Sequence, residues 1–119
     1  MAGILHRVVD RWSSTDQQES DELLVHCARA GCRPIREQPD RDVVSLHGVV
    51  RAITLRPVGE ATALEAELYD GSGTVTLVWL GRRRIAGIDA GRELTATGRL
   101  SERGGARVLY NPRYTLDAA

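Results

Sequence analysis

Leu64-Glu-Ala-Glu-Leu-Tyr-Asp-Gly-Ser-Gly-Thr-Val-Thr-Leu-Val-Trp-Leu80 decides the fold of this chain. Leu64, Ala66 and Leu68 alternate with Glu65, Glu67 and Tyr69; after the turn, Val75, Leu77 and Trp79 alternate with Thr74 and Thr76. A period of two puts each set on one face of a strand. Between the strands, Asp70-Gly71-Ser72-Gly73 supplies the positive backbone angles of a hairpin turn and so fixes the register. One face of the hairpin is apolar and the other polar. A hairpin of this kind, followed by further strands, points to a small closed sheet whose outer face is free to bind a ligand.

The flanking sequence extends the pattern. Val43–Leu55 reads as a long strand, with Gly48 placed for a bulge or bend. Arg56–Thr62 reads as a loop. Gly81–Gly91 breaks the alternation, and Arg82–Ile88 is expected to make one or two helical turns. Glu93–Leu100 alternates again, Glu102-Arg103-Gly104-Gly105 is a hairpin loop, and Ala106–Asn111 is a fifth strand limited by Pro112. Three strands, a short helical insertion and two more strands is the order of a five-stranded OB-fold Greek-key barrel, a mainly β class. Leu68, Val75, Leu77, Leu94, Ala96 and Val108 are expected to face inward, with no parallel strands. Parity also assigns Trp79 and Tyr110 to the core; Tyr69 and Tyr114 stay undecided.

Residues 1–42 read as an N-terminal helical extension and linker, and residues 43–119 as the barrel. Ile4, Leu5, Val8, Val9 and Trp12 form one apolar stripe on a short helix. Left in water it would be an exposed patch, so it is expected to pack on the barrel or on another subunit. A second helix is expected from Asp16 to Ala30, started by Ser14-Thr15-Asp16 and stopped by Gly31 and Pro34. Its own stripe, Leu23, Leu24, Cys27 and Ala28, is weaker. Arg33–Asp42, charged and interrupted by Pro34 and Pro39, reads as a linker or an extended lead-in.

A chain of 119 residues bounds one domain able to bury a core without disulfides or metal. Net charge is zero, yet residues 1–47 carry six Arg against eight acids, and residues 71–114 eight Arg against three. The C-terminal half is locally basic. There is no Lys, so any cationic surface is built from planar guanidinium groups that suit phosphates and stack on bases. Cys27 and Cys32 form no disulfide framework, and His6, His26 and His47 complete no zinc set. No cofactor or metal is implied, and no spacing suggests a catalytic triad, so the chain reads as a non-enzyme. No stretch resembles a membrane span or a signal peptide; a cytoplasmic location is expected.

Gly48-Val49-Val50, Leu68-Tyr69-Asp70-Gly71-Ser72-Gly73-Thr74-Val75, Val78-Trp79-Leu80, Gly91, Gly98-Arg99 and Tyr110-Asn111-Pro112-Arg113-Tyr114 resemble the OB-fold nucleic-acid-binding family. That family includes anticodon-binding domains and the wedge domain of the branch-migration helicase RecG. The whole chain is also similar to small stand-alone OB proteins of actinobacteria. The chain has no Gly-x-x-x-x-Gly-Lys-Ser/Thr motif and no room for motor domains, so the resemblance implies binding alone. It implies single-stranded or branched nucleic acid, DNA first, as the partner. The alternative is a protein-interaction or oligomerisation module working through the N-terminal helix or the barrel edges.

The surface used by this family maps here onto Arg56, Tyr69, Thr74, Thr76, Arg103 and Arg107, to which the run Arg82-Arg83-Arg84 adds the densest positive charge. Cationic groups hold phosphates and aromatic rings hold bases. Glu65 and Glu67 share the face of Tyr69 and are expected to repel a backbone there. The arginine run reads either as a phosphate clamp or as a solvated face partly paired to Asp89 or Glu93.

Overall fold

A computed structural model of the chain describes residues 2–118, with side chains from residue 15 to residue 118. The stripe Ile4, Leu5, Val8, Val9 and Trp12 lies outside the described side chains. The elements in order are α1 (Ala2–Arg29), a 3-10 turn (Ile35–Glu37), β1 (Val43–Val58), β2 (Ala61–Tyr69), β3 (Thr74–Leu80), β4 (Glu93–Arg103), β5 (Ala106–Tyr110) and β6 (Arg113–Leu116). One helix stands where two were expected. No proline or glycine interrupts residues 4–30, and Ser14-Thr15-Asp16 continues the helix instead of capping a new one.

The sheet closes on itself in the order β1-β2-β3-β5-β4, with β4 returning to β1. This is a five-stranded barrel of OB-like topology with an N-terminal helix. β1 is shared: residues 43–49 pair with β4, and residues from 49 onward pair with β2. A register shift between Val50 and Ala52 leaves Arg51 as the extra residue of a bulge. Gly48 has a different use. A Cβ there would collide with the Tyr69 carbonyl, so glycine permits the close crossing of β1 over the end of β2.

Four expectations are corrected. Closure requires one parallel pairing, β3 with β5, because β5 enters the ring from the far side of β4. β1 and β2 run on to Val58 and Ala61 around a tight Gly59-Glu60 turn, so Arg56 lies on a strand. Residues 82–88 form no helix; the segment from Gly81 to Gly91 turns at three glycines of positive φ and seats Ile88 in the core. Pro112 interrupts the last strand without ending it. Asn111 takes a φ of 49°, and β6 resumes pairing with β4, Leu94 opposite Leu116.

The barrel interior is filled by Val44, Leu46, Val50, Leu64, Ala66, Leu68, Val75, Leu77, Trp79, Leu94, Ala96, Leu100 and Leu109. Trp79 is buried as expected; its indole N–H donates to the Pro112 carbonyl at 3.1 Å, and Tyr114 meets the ring edge-on. The linker is not solvated throughout. Ile35 is buried in the same core, and its N–H donates to Asp70 Oδ2 at 2.7 Å. α1 lies against the hairpin turn, where Gly71 leaves no room for a side chain beside the Ser20 carbonyl.

Candidate nucleic-acid interface

The barrel's outer face is built from strand residues of opposite parity to the core. Register sets Glu65 between Thr54 of β1 and Val78 of β3, and sets Val78 beside Tyr110 of β5. The neighbouring row sets Glu67 beside Thr76, and Thr76 beside Val108. Ala63, Val78 and Val108 form a small apolar cluster beneath this face. Val108 is therefore buried, as expected, but outside the barrel interior, where Leu109 takes its place. Tyr110 shares the parity of Val108 and is 40% exposed, not core. Two adjacent apolar residues make the alternation of β5 ambiguous, and it is Leu109, not Val108 or Tyr110, that has the inward phase.

Glu65 lies in the middle of this face and is only 7% exposed. Arg103, at the β4–β5 hairpin, donates from Nη1 and Nη2 to its two oxygens at 3.3 and 3.2 Å. Arg56 of β1 brings Nε to 3.3 Å from Oε2. A buried carboxylate is tolerable here because two guanidinium groups satisfy it. The hydrogen bond to Glu65 is the main cause that holds Arg103 above its ordinary pKa, with a smaller contribution from Tyr110. Arg56 and Arg103 are thus brought together, by the very residue expected to repel an anion. Glu67 remains exposed.

Other expected site residues are placed differently. Arg107 alternates away from Arg103 and donates to the Ile35 carbonyl, with Asp40 at 3.9 Å; it fastens the linker. Tyr69 is half-buried, with its hydroxyl 2.7 Å from Ser20 Oγ and the Arg51 guanidinium 3.6 Å above its ring. Its polar end and one ring face hold α1. Thr74 and Thr76 lie on the outer face, Thr74 exposed.

Arg82, Arg83 and Arg84 are all exposed, and among the described residues no ion pair joins them. Glu93, a possible partner, instead receives His26 at 2.7 Å. The run follows the end of β3, where Val78 is the register partner of Tyr110. Asn111 N–H donates to the Val78 carbonyl at 2.6 Å, and its side-chain oxygen accepts from Leu80 N–H at 3.0 Å. His47 Nε2 lies 2.7 Å from Asp117 Oδ2. No group of three or more His, Cys, Asp or Glu converges on a metal position among the described residues, and no helix is long and apolar enough to cross a membrane.

No protein-family model matches the chain, and no curated protein matches it. Among solved structures the chain is similar to RecG in a complex described as RecG bound to a three-way DNA junction. The TM-score is 0.63 over 72% of this chain, at 19% identity, and the match takes in 12% of the RecG chain. At that identity the likeness is one of fold, shared between this small barrel and a minor part of a much longer protein.

Proposed function

We propose that the barrel, residues 43–119, is a non-catalytic nucleic-acid-binding module for single-stranded or branched DNA, braced by the extension of residues 1–42. The reading is carried by Arg82, Arg83 and Arg84, exposed and, among the described residues, joined by no ion pair, just after β3 passes Tyr110. Guanidinium groups take phosphates and an exposed tyrosine takes a base, the two components of a single-strand site. The fold is shared with part of RecG, a protein described as bound to a three-way DNA junction, and this supports the same partner class.

Titration of labelled single-stranded, duplex and forked oligonucleotides at low and moderate salt tests it. Affinity should fall with salt at a log–log slope of roughly −0.7 per phosphate neutralised on a single strand. Replacing Arg82, Arg83 and Arg84 together with Ala should weaken binding and flatten that slope. Tyr110→Ala should cost about 1–3 kcal/mol of binding if the ring stacks on a base. Absence of any association at low salt would remove this reading.

One observation favours a second reading, a protein-interaction or oligomerisation module. Ile53, Leu55 and Val58 of β1 are 38%, 52% and 47% exposed. Among the described residues, this half of β1 pairs only with β2, which leaves a strand edge open beside apolar side chains. A concentration-dependent mass in light scattering, together with no affinity for oligonucleotides, would select it.

A further inference from the structure

Glu65 occupies the place where an incoming anion would meet Arg56 and Arg103. Its carboxylate offers Arg103 two oxygens in the fork geometry that a phosphate also offers, and it engages Arg56 through Nε. The two arginines stand on separate strands, β1 and β4, so no local constraint of sequence brings them together. Their shared partner does. Both remain partly open to solvent, with side chains 54% and 36% exposed, while the Glu65 side chain is 8% exposed. The cations are therefore accessible from outside, and the anion that holds them lies beneath.

We propose that Glu65 is a built-in competitor for nucleic-acid phosphate on the outer face, so that the chain binds a backbone there by exchanging one anion for another. The inference rests on the nucleic-acid reading and adds a specific regulation to it. In the resting protein Arg56 and Arg103 are turned inward on Glu65, and Arg82, Arg83 and Arg84 supply the first contact. A backbone that reaches the centre of the face must draw the two arginines outward. An isolated anion does not do this, because Glu65 is already held in place by its strand whereas a free anion must give up its own translational freedom to compete. A strand already held by the arginine run and Tyr110 presents its next phosphates at high local concentration, and the exchange becomes favourable.

The decisive variant is Glu65→Gln, which keeps the shape and frees both guanidinium groups. Affinity for a short oligothymidylate should rise several-fold, and the salt dependence should steepen by about 0.7 for each phosphate newly engaged. Glu67→Gln removes an equal charge from the same face without freeing an arginine, so it should leave the slope unchanged. Adding Arg56→Gln and Arg103→Gln to Glu65→Gln should cancel the gain. In the unmodified protein the Glu65 carboxyl carbon resonance should move as oligothymidylate is added, a measurement that holds even if the variant unfolds. If the unmodified protein binds while Glu65→Gln neither tightens nor steepens binding and that resonance stays still, the exchange is refuted and the nucleic-acid reading stands. If neither protein binds at low salt, both fail. Binding by Glu65→Gln alone would also overturn the exchange, because the arginine run would then give the unmodified protein no first contact.

Discussion

Asp70 is fully buried and accepts from Ser72 N–H, Ser72 Oγ and Gly73 N–H at one oxygen and from Ile35 N–H at the other. It closes the hairpin turn and fastens the linker at once. Asp70→Ala should cost about 3 kcal/mol in chemical denaturation, because hydrogen bonds to a charged acceptor are lost and the Ile35 N–H is left buried without a partner. The turn was legible in Asp-Gly-Ser-Gly; the linker contact, made to a residue 35 positions away, was not. A second residue-scale outcome concerns Cys27. Burial pushes its thiol up to about 11 from an ordinary 9, with the negative charge of Asp70 adding to the effect. At pH 8 about one thiol in a thousand is ionised, so alkylation of the folded protein at Cys27 should be slow and should accelerate on unfolding. A raised folded-state pKa means that the native state holds the proton more tightly. That stabilisation is complete below pH 9 and is lost as pH rises toward 11, so Cys27→Ala should flatten the stability profile across that window.

α1 is held to the barrel by a few specific contacts. Ser20 meets the Tyr69 hydroxyl, Glu19 lies 3.5 Å from Arg51, His26 meets Glu93, and Leu23 and Cys27 are buried. Tyr69→Phe removes one hydrogen bond and keeps the ring under Arg51. It should cost about 1 kcal/mol and speed amide exchange across residues 16–29, with oligonucleotide affinity unchanged. Unchanged exchange in that segment would show that the hydroxyl does not hold the helix. Leu23 and Cys27 were visible as a helical stripe, and Tyr69 was placed on the correct face of its strand. Its occupation was not visible, because nothing in a strand's own sequence announces a helix docking over it from 49 residues upstream. The same limit explains Glu65. Its position on the outer face followed from period two, but its partners came from β1 and the far end of β4.

At the scale of the whole molecule the last segment matters more than its length suggests. β6 pairs with β4, Tyr114 packs edge-on against Trp79, and Asp117 holds the buried His47. Truncation after Pro112 should lower stability by several kcal/mol in urea titration, since it opens the core beside Trp79 and strands an imidazole. Stability equal to that of the full chain would mean that β6 merely decorates the barrel. The closed ring itself was readable, because alternation, glycines and hairpin signals agree along most of residues 43–110. What the pattern could not carry was β5 and β6, where adjacent Val108 and Leu109 obscure the phase and Pro112 resembles a stop. The divided pairing of β1 sets an order of assembly. Its second half meets β2 across a tight turn, but its first half waits for β4, with Val43 opposite Arg99. Near contacts form at low loop-closure cost and distant ones late. During synthesis, the three-stranded meander therefore emerges with its apolar side open, and it is sealed only when the residues up to Leu109 have left the ribosome.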